Sequence, residues 1–382
     1  MDSNRVLRQI TYKIYQSRNI MPHSMRTNYR IERANGGFLC DLWFLTVGCV
    51  HDACGGCVMC NYGKGNGQID QEHILSELKK IVEELPWEFE DFLLTPSGSM
   101  LDEREVSLDM REELIKILKK IQAKRFIIET RADSISDSGI DFLKRAVPMA
   151  DKYIEIGLES SNDWILKHCI NKNSTFQIFK DAVKKIHDNG LYVTANIGIG
   201  APFISERAAI TDAIQSIRDV LDMGVDSVVV FPYHVKKGTL LDVMYQNGMY
   251  QCVSLWALVE VLKSFSEEIL QKIQISWYKD YFGEEKSYIY QSPGTCPICE
   301  KQVMKELDRY RDTQDADIIY NLAEYSCDCR RAWQEQLLRQ DSHISLENVE
   351  NTYRRLAEMY HIEQELLEQE LAEMKKEFVR SM

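Results

Sequence analysis

The sequence predicts an α/β protein centred on six strand–helix units, arranged as a partial barrel or as an open doubly wound sheet. Two observations carry this. Between Phe38 and Pro232, short runs rich in branched and aromatic residues alternate with amphipathic stretches at helical spacing. Cap residues sit at the junctions: Thr175 opens one helix, while Gly190 and Gly224 follow the ends of two others. Such alternation implies parallel strands joined by right-handed crossovers, and pattern alone does not choose between barrel and open sheet. In either arrangement the chemistry collects at the C-terminal ends of the strands.

Residues 1–37 form a basic N-terminal extension, with Arg5, Arg8, Lys13, Arg18, Arg26, Arg30 and Arg33 against Asp2 and Glu32. Tyr12, Tyr15 and Tyr29 interleave them. Basic segments with stacking aromatics suit a nucleic-acid arm; a solvated helix with an extended lead-in is the plainer reading. The barrel region, 38–290, carries strands over Phe38–Leu45, Phe89–Leu94, Arg125–Glu129, Tyr153–Leu158, Tyr192–Ile199 and Ser227–Phe231. Helices are expected over Gln71–Glu84, Arg104–Gln122, Ser136–Arg145, Thr175–Asp188 and Ser205–Met223, with a further strand over Ile273–Trp277. A cysteine-rich lobe follows over 291–345. The last stretch, 346–382, spaces Val349, Tyr353, Leu356, Tyr360, Leu367, Leu371, Met374 and Phe378 as one long amphipathic helix, which packs on its own domain or meets a protein partner.

At 382 residues, with 45% hydrophobic and 27% charged residues, the chain has the balance of an ordinary folded protein. No apolar run reaches the roughly 18–20 residues of a membrane span. The N-terminus has no apolar core of a secretory signal, so cytoplasmic residence without a membrane partner is expected. A net charge of −13 disfavours broad attraction to nucleic acid. Of the eleven cysteines, eight fall in two tight groups, a pattern of metal binding rather than of disulfides. Cys40, Cys169 and Cys252 read as small buried hydrophobes.

The first group follows the first strand directly: Thr46-Val-Gly-Cys49-Val-His-Asp-Ala-Cys54-Gly-Gly-Cys57-Val-Met-Cys60-Asn-Tyr-Gly63. Thiolates in one glycine-rich loop suit an iron–sulfur cluster. The spacing admits three readings. Cys49-x4-Cys54-x2-Cys57 matches a plant-type [2Fe–2S] centre that transfers electrons and leaves no iron open. Four thiolates also suit structural zinc. Cys49-x7-Cys57-x2-Cys60 leaves one iron of a [4Fe–4S] cluster without a protein ligand, free to chelate S-adenosylmethionine (SAM).

The chain beyond the loop resembles the radical SAM superfamily, in particular the radical SAM subunit of archaeosine synthase and, more distantly, the catalytic subunit of Elongator. The resemblance rests on Gly48-Cys49 with Cys57-Val-Met59-Cys60-Asn-Tyr62, on Thr95-Pro-Ser97-Gly98-Ser99-Met-Leu-Asp102-Glu-Arg104-Glu105, and on Glu129-Thr-Arg131. Gly157-Leu-Glu159-Ser160, Ile170-Asn171-Lys172-Asn173 and Gly200-Ala-Pro202-Phe203 continue it, so that it covers residues 38–235. It implies a partial (β/α)6 radical SAM barrel with a cysteine-rich, zinc-like lobe and a long terminal helix. It also implies a [4Fe–4S] cluster on Cys49, Cys57 and Cys60, with Cys54 as a bystander. SAM would be cleaved reductively, and a 5′-deoxyadenosyl radical would abstract a substrate hydrogen.

The same resemblance implies the cofactor contacts. Backbone groups of Ser97, Gly98 and Ser99 meet the SAM amino group, and Arg131 suits its carboxylate, since a guanidinium pairs carboxylates bidentately. Glu129 or Glu159 holds the ribose or balances the sulfonium. Gly198 and Gly200 line the adenine, with main chain near Met59 and Tyr62 beside it. Two departures stand out: Asn173 replaces a usual glycine, a position where asparagine tolerates a left-handed backbone, and Cys54 is extra. Tyr233, His234, Lys236 and Lys237 follow the sixth strand as candidate substrate groups, with no acid or base assigned.

Cys296-Pro-Ile-Cys299 and Cys327-Asp-Cys329 pair four thiolates in a manner that suits tetrahedral zinc, an auxiliary cluster being the rival. The expected partners are a reductase or flavodoxin-type electron donor and a substrate that is either a modified tRNA base or a small-molecule intermediate. A non-catalytic iron–sulfur electron carrier is the alternative from another class.

Overall fold

The chain, described here by a computed structural model over residues 4–18, 27–63, 70–86, 88–280 and 289–381, builds one eight-stranded sheet. Its strands are β1 (Thr27–Ala34), β2 (Gly37–Phe44), β3 (Glu88–Pro96), β4 (Gln122–Thr130), β5 (Asp151–Glu159), β6 (Tyr192–Ile199), β7 (Ser227–Pro232) and β8 (Ile273–Ile275). They lie side by side in chain order, antiparallel only between β1 and β2. A doubly wound sheet would reverse its order at a switch point; this one never does, so the partial barrel is the architecture. The six strands expected from the sequence are β2 to β7.

The two sheet edges are tied together at the bottom. Gln274 of β8 hydrogen-bonds Asn35 of the β1–β2 turn. The helix Glu300–Thr313 spans the seam, its Arg311 and Asp312 carbonyls accepting the Asn35 and Gly36 amides and its Arg311 guanidinium pairing with Glu32. Above that seam the lumen floor is ionic, with Arg125 and Asn35 both on Asp91.

Most helices start where the caps place them. Ser136, Thr175 and Ser205 each accept an amide hydrogen bond from the first turn of their helix. The helix expected over Arg104–Gln122 is shorter, Leu108–Leu118, because Ser107 caps it and 102–106 remain a loop that the site uses. The N-terminal helix, Arg5–Ser17, is solvated on one face, with Arg5, Arg8 and Lys13 exposed, and packs the other on the core through Val6, Leu7, Ile10 and Ile14. The lead-in is the edge strand β1. Asp2 and Arg26 lie outside the described residues.

The terminal amphipathic stretch is divided into two helices, Leu346–Met359 and Gln364–Ser381, which turn at His361 with φ +49°; Met382 lies outside the described residues. Both pack on the N-terminal helix and bond the segment Leu166–Ile170, Tyr353 at His168 and Glu373 and Glu377 at Lys167. Asn4 donates to the Tyr353 hydroxyl, which donates to the His168 carbonyl, and the Trp164 indole donates to the Met374 carbonyl. No described helix is long and apolar enough to cross a membrane.

Candidate active site

The cysteine loop leaves the top of β2 and is closed on itself, the Cys49 amide donating to the Tyr62 carbonyl at 3.0 Å. Buried Asp52 braces the inside, accepting from the Gly63 amide at 2.6 Å and from Arg18 at 2.5 Å. Arg18 also reaches the Gly238 and Cys60 carbonyls. From the other side Asn171, left-handed at φ +59°, donates its amide to the Gly55 and Gly56 carbonyls. The left-handed position is therefore Asn171 rather than Asn173. Glycine is required at 56, where a Cβ would come within 2.5 Å of the Asp52 main chain.

Cys57 lies within electrostatic reach of both Cys49 and Cys60, and Cys49 within reach of Cys60. Cys54 is exposed and lies within electrostatic reach of Tyr15. Burial pushes the Cys49 thiol up to about 12 and raises Cys57 and Cys60 as well. Bound iron, by its charge, stabilises such thiols as thiolates.

A carboxylate-rich clamp stands beside Cys49. Arg131, just beyond β4, places Nη1 2.5 Å from Glu105 and Nε 3.2 Å from Asp133, and bonds Asp102 through Nη2. Its Nη1 is also 3.6 Å from the Cys49 sulfur. Glu105 in turn accepts the Val50 and Ser99 amides. The guanidinium expected to receive a cofactor carboxylate is thus committed to three carboxylates of the chain. Ser97 ties to Thr46 and Ser99 to Thr130 and Ser134, while a Cβ on Gly98 would lie 2.1 Å from Glu105. The Ser97–Ser99 turn therefore couples the clamp to the loop.

Glu159 ends β5 with φ +74°, at a register shift against β6. Lys172 holds its Oε1 at 2.9 Å, and its Oε2 is buried without a partner. A strained, half-satisfied carboxylate at a strand top is the kind of outlier that marks a binding site. Tyr233 lays its ring against Gly198, and its buried hydroxyl also lacks a partner. These two orphaned groups suit a ligand bearing hydroxyls and amines, as SAM does. Gly198 and Gly200 line less than expected, because Tyr233 fills the space over the first and Val253 over the second. Met59 is half-buried against the core, and the Tyr62 ring sits under the Lys236 ammonium at 5.1 Å. Glu129 is not at the rim with Glu159; it lies deeper, in register with Glu155. His234 is buried, bonded to Ser292 and the Trp277 carbonyl, and held down to about 4 by burial.

The second cysteine group comes together. Sulfur separations of 3.6 Å (Cys296–Cys299 and Cys296–Cys327), 3.5 Å (Cys299–Cys329) and 3.4 Å (Cys327–Cys329) define a tetrahedral pocket. Zinc–sulfur bonds of about 2.3 Å put tetrahedral sulfurs about 3.8 Å apart. The Trp256 indole donates to the Cys329 sulfur at 3.4 Å. Helices beginning at Glu300 and Asp328 turn their positive ends toward the thiolates.

Sequence reasoning missed Arg18, Asp52 and Glu155. Arg18 and Asp52 are 34 positions apart, and no local pattern links them; Glu155 looked like an ordinary polar position in a strand.

Residues 43–231 match the Radical SAM superfamily. Archaeosine synthase subunit beta of Methanosarcina acetivorans is 27% identical over 303 residues, 78% of this chain and 84% of that one. The protein of that name in Thermococcus kodakarensis is 28% identical over 298 residues, 76% and 88% of the two chains. The solved structure of Methanocaldococcus infernus Elp3 with an N-terminal deletion is 20% identical, covers 63% of this chain and 58% of its own, and superposes with a TM-score of 0.44.

Proposed function

We propose that this chain, a radical SAM enzyme by the domain it carries over residues 43–231, binds a [4Fe–4S] cluster through Cys49, Cys57 and Cys60 and SAM beside it. The observation that carries the reading is the three thiols of one strand-top loop within electrostatic reach of one another, with the half-satisfied Glu159 in reach of Cys57. When bound, cluster and SAM together supply reductive cleavage of the sulfonium and a 5′-deoxyadenosyl radical that removes a substrate hydrogen.

The residues do the holding. Asp52, Arg18 and Asn171 brace the loop from both sides and so would hold the thiols for the cluster. Arg131 sets its positive charge against Cys49, offsetting part of the thiolate charge. Glu159 Oε2 would accept from the ribose or amino group of SAM, and Lys172 holds the other oxygen at 2.9 Å. Tyr233 and the lumen walls exclude water from the reacting atoms.

For the substrate, a modified base in tRNA is the first reading, supported by relatives named as archaeosine synthase subunit beta. Their designation as a subunit also supports assembly with a second protein chain. A small-molecule substrate is the second reading, and one observation favours it. Arg5, Arg8, Lys13, Arg18, Arg30 and Arg33 all bond groups of the chain itself, so the N-terminal basic segment is built into the fold. Cytoplasmic residence and a flavodoxin-type donor complete the proposal, and the cysteine-rich lobe holds zinc.

The experiment is anaerobic reconstitution with iron and sulfide, then SAM and dithionite, with chromatography for 5′-deoxyadenosine. Its formation, increased by the true substrate, is expected. A fully loaded cluster that yields none would sink the reading. Salt-dependent tRNA binding by the loaded protein separates the two substrate classes.

A further inference from the structure

The segment Leu166–Ile170 is a turn of π-helix: the Asn171 amide bonds the Leu166 carbonyl five residues back, and the Lys172 amide reaches the same carbonyl at 2.8 Å. Such turns are rare and occur mostly singly, often at functional sites. This one has a register to keep. Rewinding it as an α-helix, with bonds four residues back, would shift the residues at its end by one position. Three of those residues brace the site. The Ile170 carbonyl accepts the Val58 amide at 3.0 Å, beside Cys57. Asn171 holds the Gly55 and Gly56 carbonyls, and Lys172 holds Glu159.

The C-terminal helix Gln364–Ser381 grips the other side of the turn. Lys167, only 3% exposed, sets its ammonium 2.8 Å from Glu373 and 2.8 Å from Glu377. Its neighbour His168, wholly buried, places Nε2 2.7 Å from the second carboxylate oxygen of Glu377. Asn4 spends its carbonyl oxygen on the Leu7 amide and donates its own amide to His168 Nδ1, so the imidazole proton sits on Nε2 and points at Glu377. A buried ammonium is costly without a partner, so Lys167 stays inside only while the two carboxylates face it. Without them Lys167 gains by moving to solvent, a motion that drags the turn with it.

We propose that Glu373 and Glu377 are positioning residues for the strand-top site: through Lys167 and His168 they hold the π-turn in register, and so keep Asn171 on the cysteine loop and Lys172 on Glu159. What Asn171 and Lys172 serve rests on the radical SAM reading; the hold on them does not. The C-terminal helix is thereby a working part of the site.

The test uses the reconstituted full chain and the double variant Glu373→Ala/Glu377→Ala. Both carboxylates are half-exposed and alanine favours helix, so the variant is expected to fold. Hydrogen exchange by mass spectrometry over 55–60 and 170–174 should rise about tenfold, with β6 unchanged. Glu368→Ala, which breaks the Arg354 pair between the two C-terminal helices, should leave all three segments as in the wild type. No rise, a rise shared by β6, or the same rise in Glu368→Ala overturns the proposal. In SAM cleavage without substrate, the double variant should raise KM for SAM about fivefold with kcat near the wild-type value, because Glu159 holds SAM before and during cleavage alike. An unchanged KM overturns the link through Lys172 to Glu159. A wild-type chain that forms no 5′-deoxyadenosine sinks the enzyme reading, and the exchange result then decides the proposal by itself.

Discussion

Arg131 and Glu105 meet at 2.5 Å, and through that contact a residue beyond β4 holds the loop beyond β2. Glu105 is wholly buried and accepts the Val50 and Ser99 amides, so one carboxylate joins the cysteine loop, the Ser97–Ser99 turn and the arginine. Burial raises Glu105 against the pull of Arg131, so the carboxylate depends on its partner to remain charged. Removing the guanidinium strands that charge. Arg131→Ala is expected to cost about 3–5 kcal/mol in urea unfolding and to lower iron uptake. Glu105→Gln should cost less, because it removes the charge that needs compensation. Equal losses would show that packing, not charge, is the function of the contact.

Cys54 and Cys57, neighbours in the same loop, should behave oppositely. Cys57→Ala is expected to abolish the iron-dependent visible absorption of the reconstituted protein. Cys54→Ala should keep it, since Cys54 is exposed while Cys49, Cys57 and Cys60 are half-buried. Loss of the chromophore in Cys54→Ala would restore the saturated-cluster reading.

Asn171 does two things that separate variants resolve. Its side chain holds two loop carbonyls, and its backbone is left-handed. Asn171→Gly keeps the backbone and loses the bonds, at about 1–3 kcal/mol for two hydrogen bonds. Asn171→Ala adds the left-handed penalty of about 1–2 kcal/mol. Denaturant unfolding should therefore rank wild type above Gly above Ala.

Glu155 makes the fold less stable in alkali. Its folded value of about 7 exceeds that of a free carboxyl, so the folded state holds a proton that the unfolded chain releases. Stability from this group is complete below about pH 4.5 and is lost as pH rises to about 7. Glu155→Gln should melt higher than wild type at about pH 8, with the gap closing toward about pH 4.5. A pH-independent gap would contradict this.

Chelation tests the second cysteine group. The purified protein should carry zinc, detected by elemental analysis, and a strong chelator should lower its melting temperature with release of metal. Because the helix Glu300–Thr313 ties the sheet edges, the loss should exceed local fraying. Iron and sulfide retained at these four thiols would identify an auxiliary cluster instead.

Seven of the eight strands were legible, β2 to β7 from the strand–helix alternation and β8 from Ile273–Trp277, because apolar runs and caps mark them. β1 was not. Its lumen-facing Arg30 and Glu32 give it no apolar face, so its pattern resembles a solvated segment, and only the ionic interior of the barrel explains them. The terminal helix looked continuous because its apolar spacing survives the turn at His361, where the chain doubles back.

Residue order alone determined the six-unit alternation, the two cysteine groups and the motifs after each strand, since these depend on neighbours along the chain. Tertiary structure decided what those motifs touch. It committed Arg131 to three acids, bonded the basic N-terminus to the rest of the chain, and set Glu129 against Glu155. Each depends on charges brought together from distant positions, whose energies arise only when burial lowers the dielectric around them.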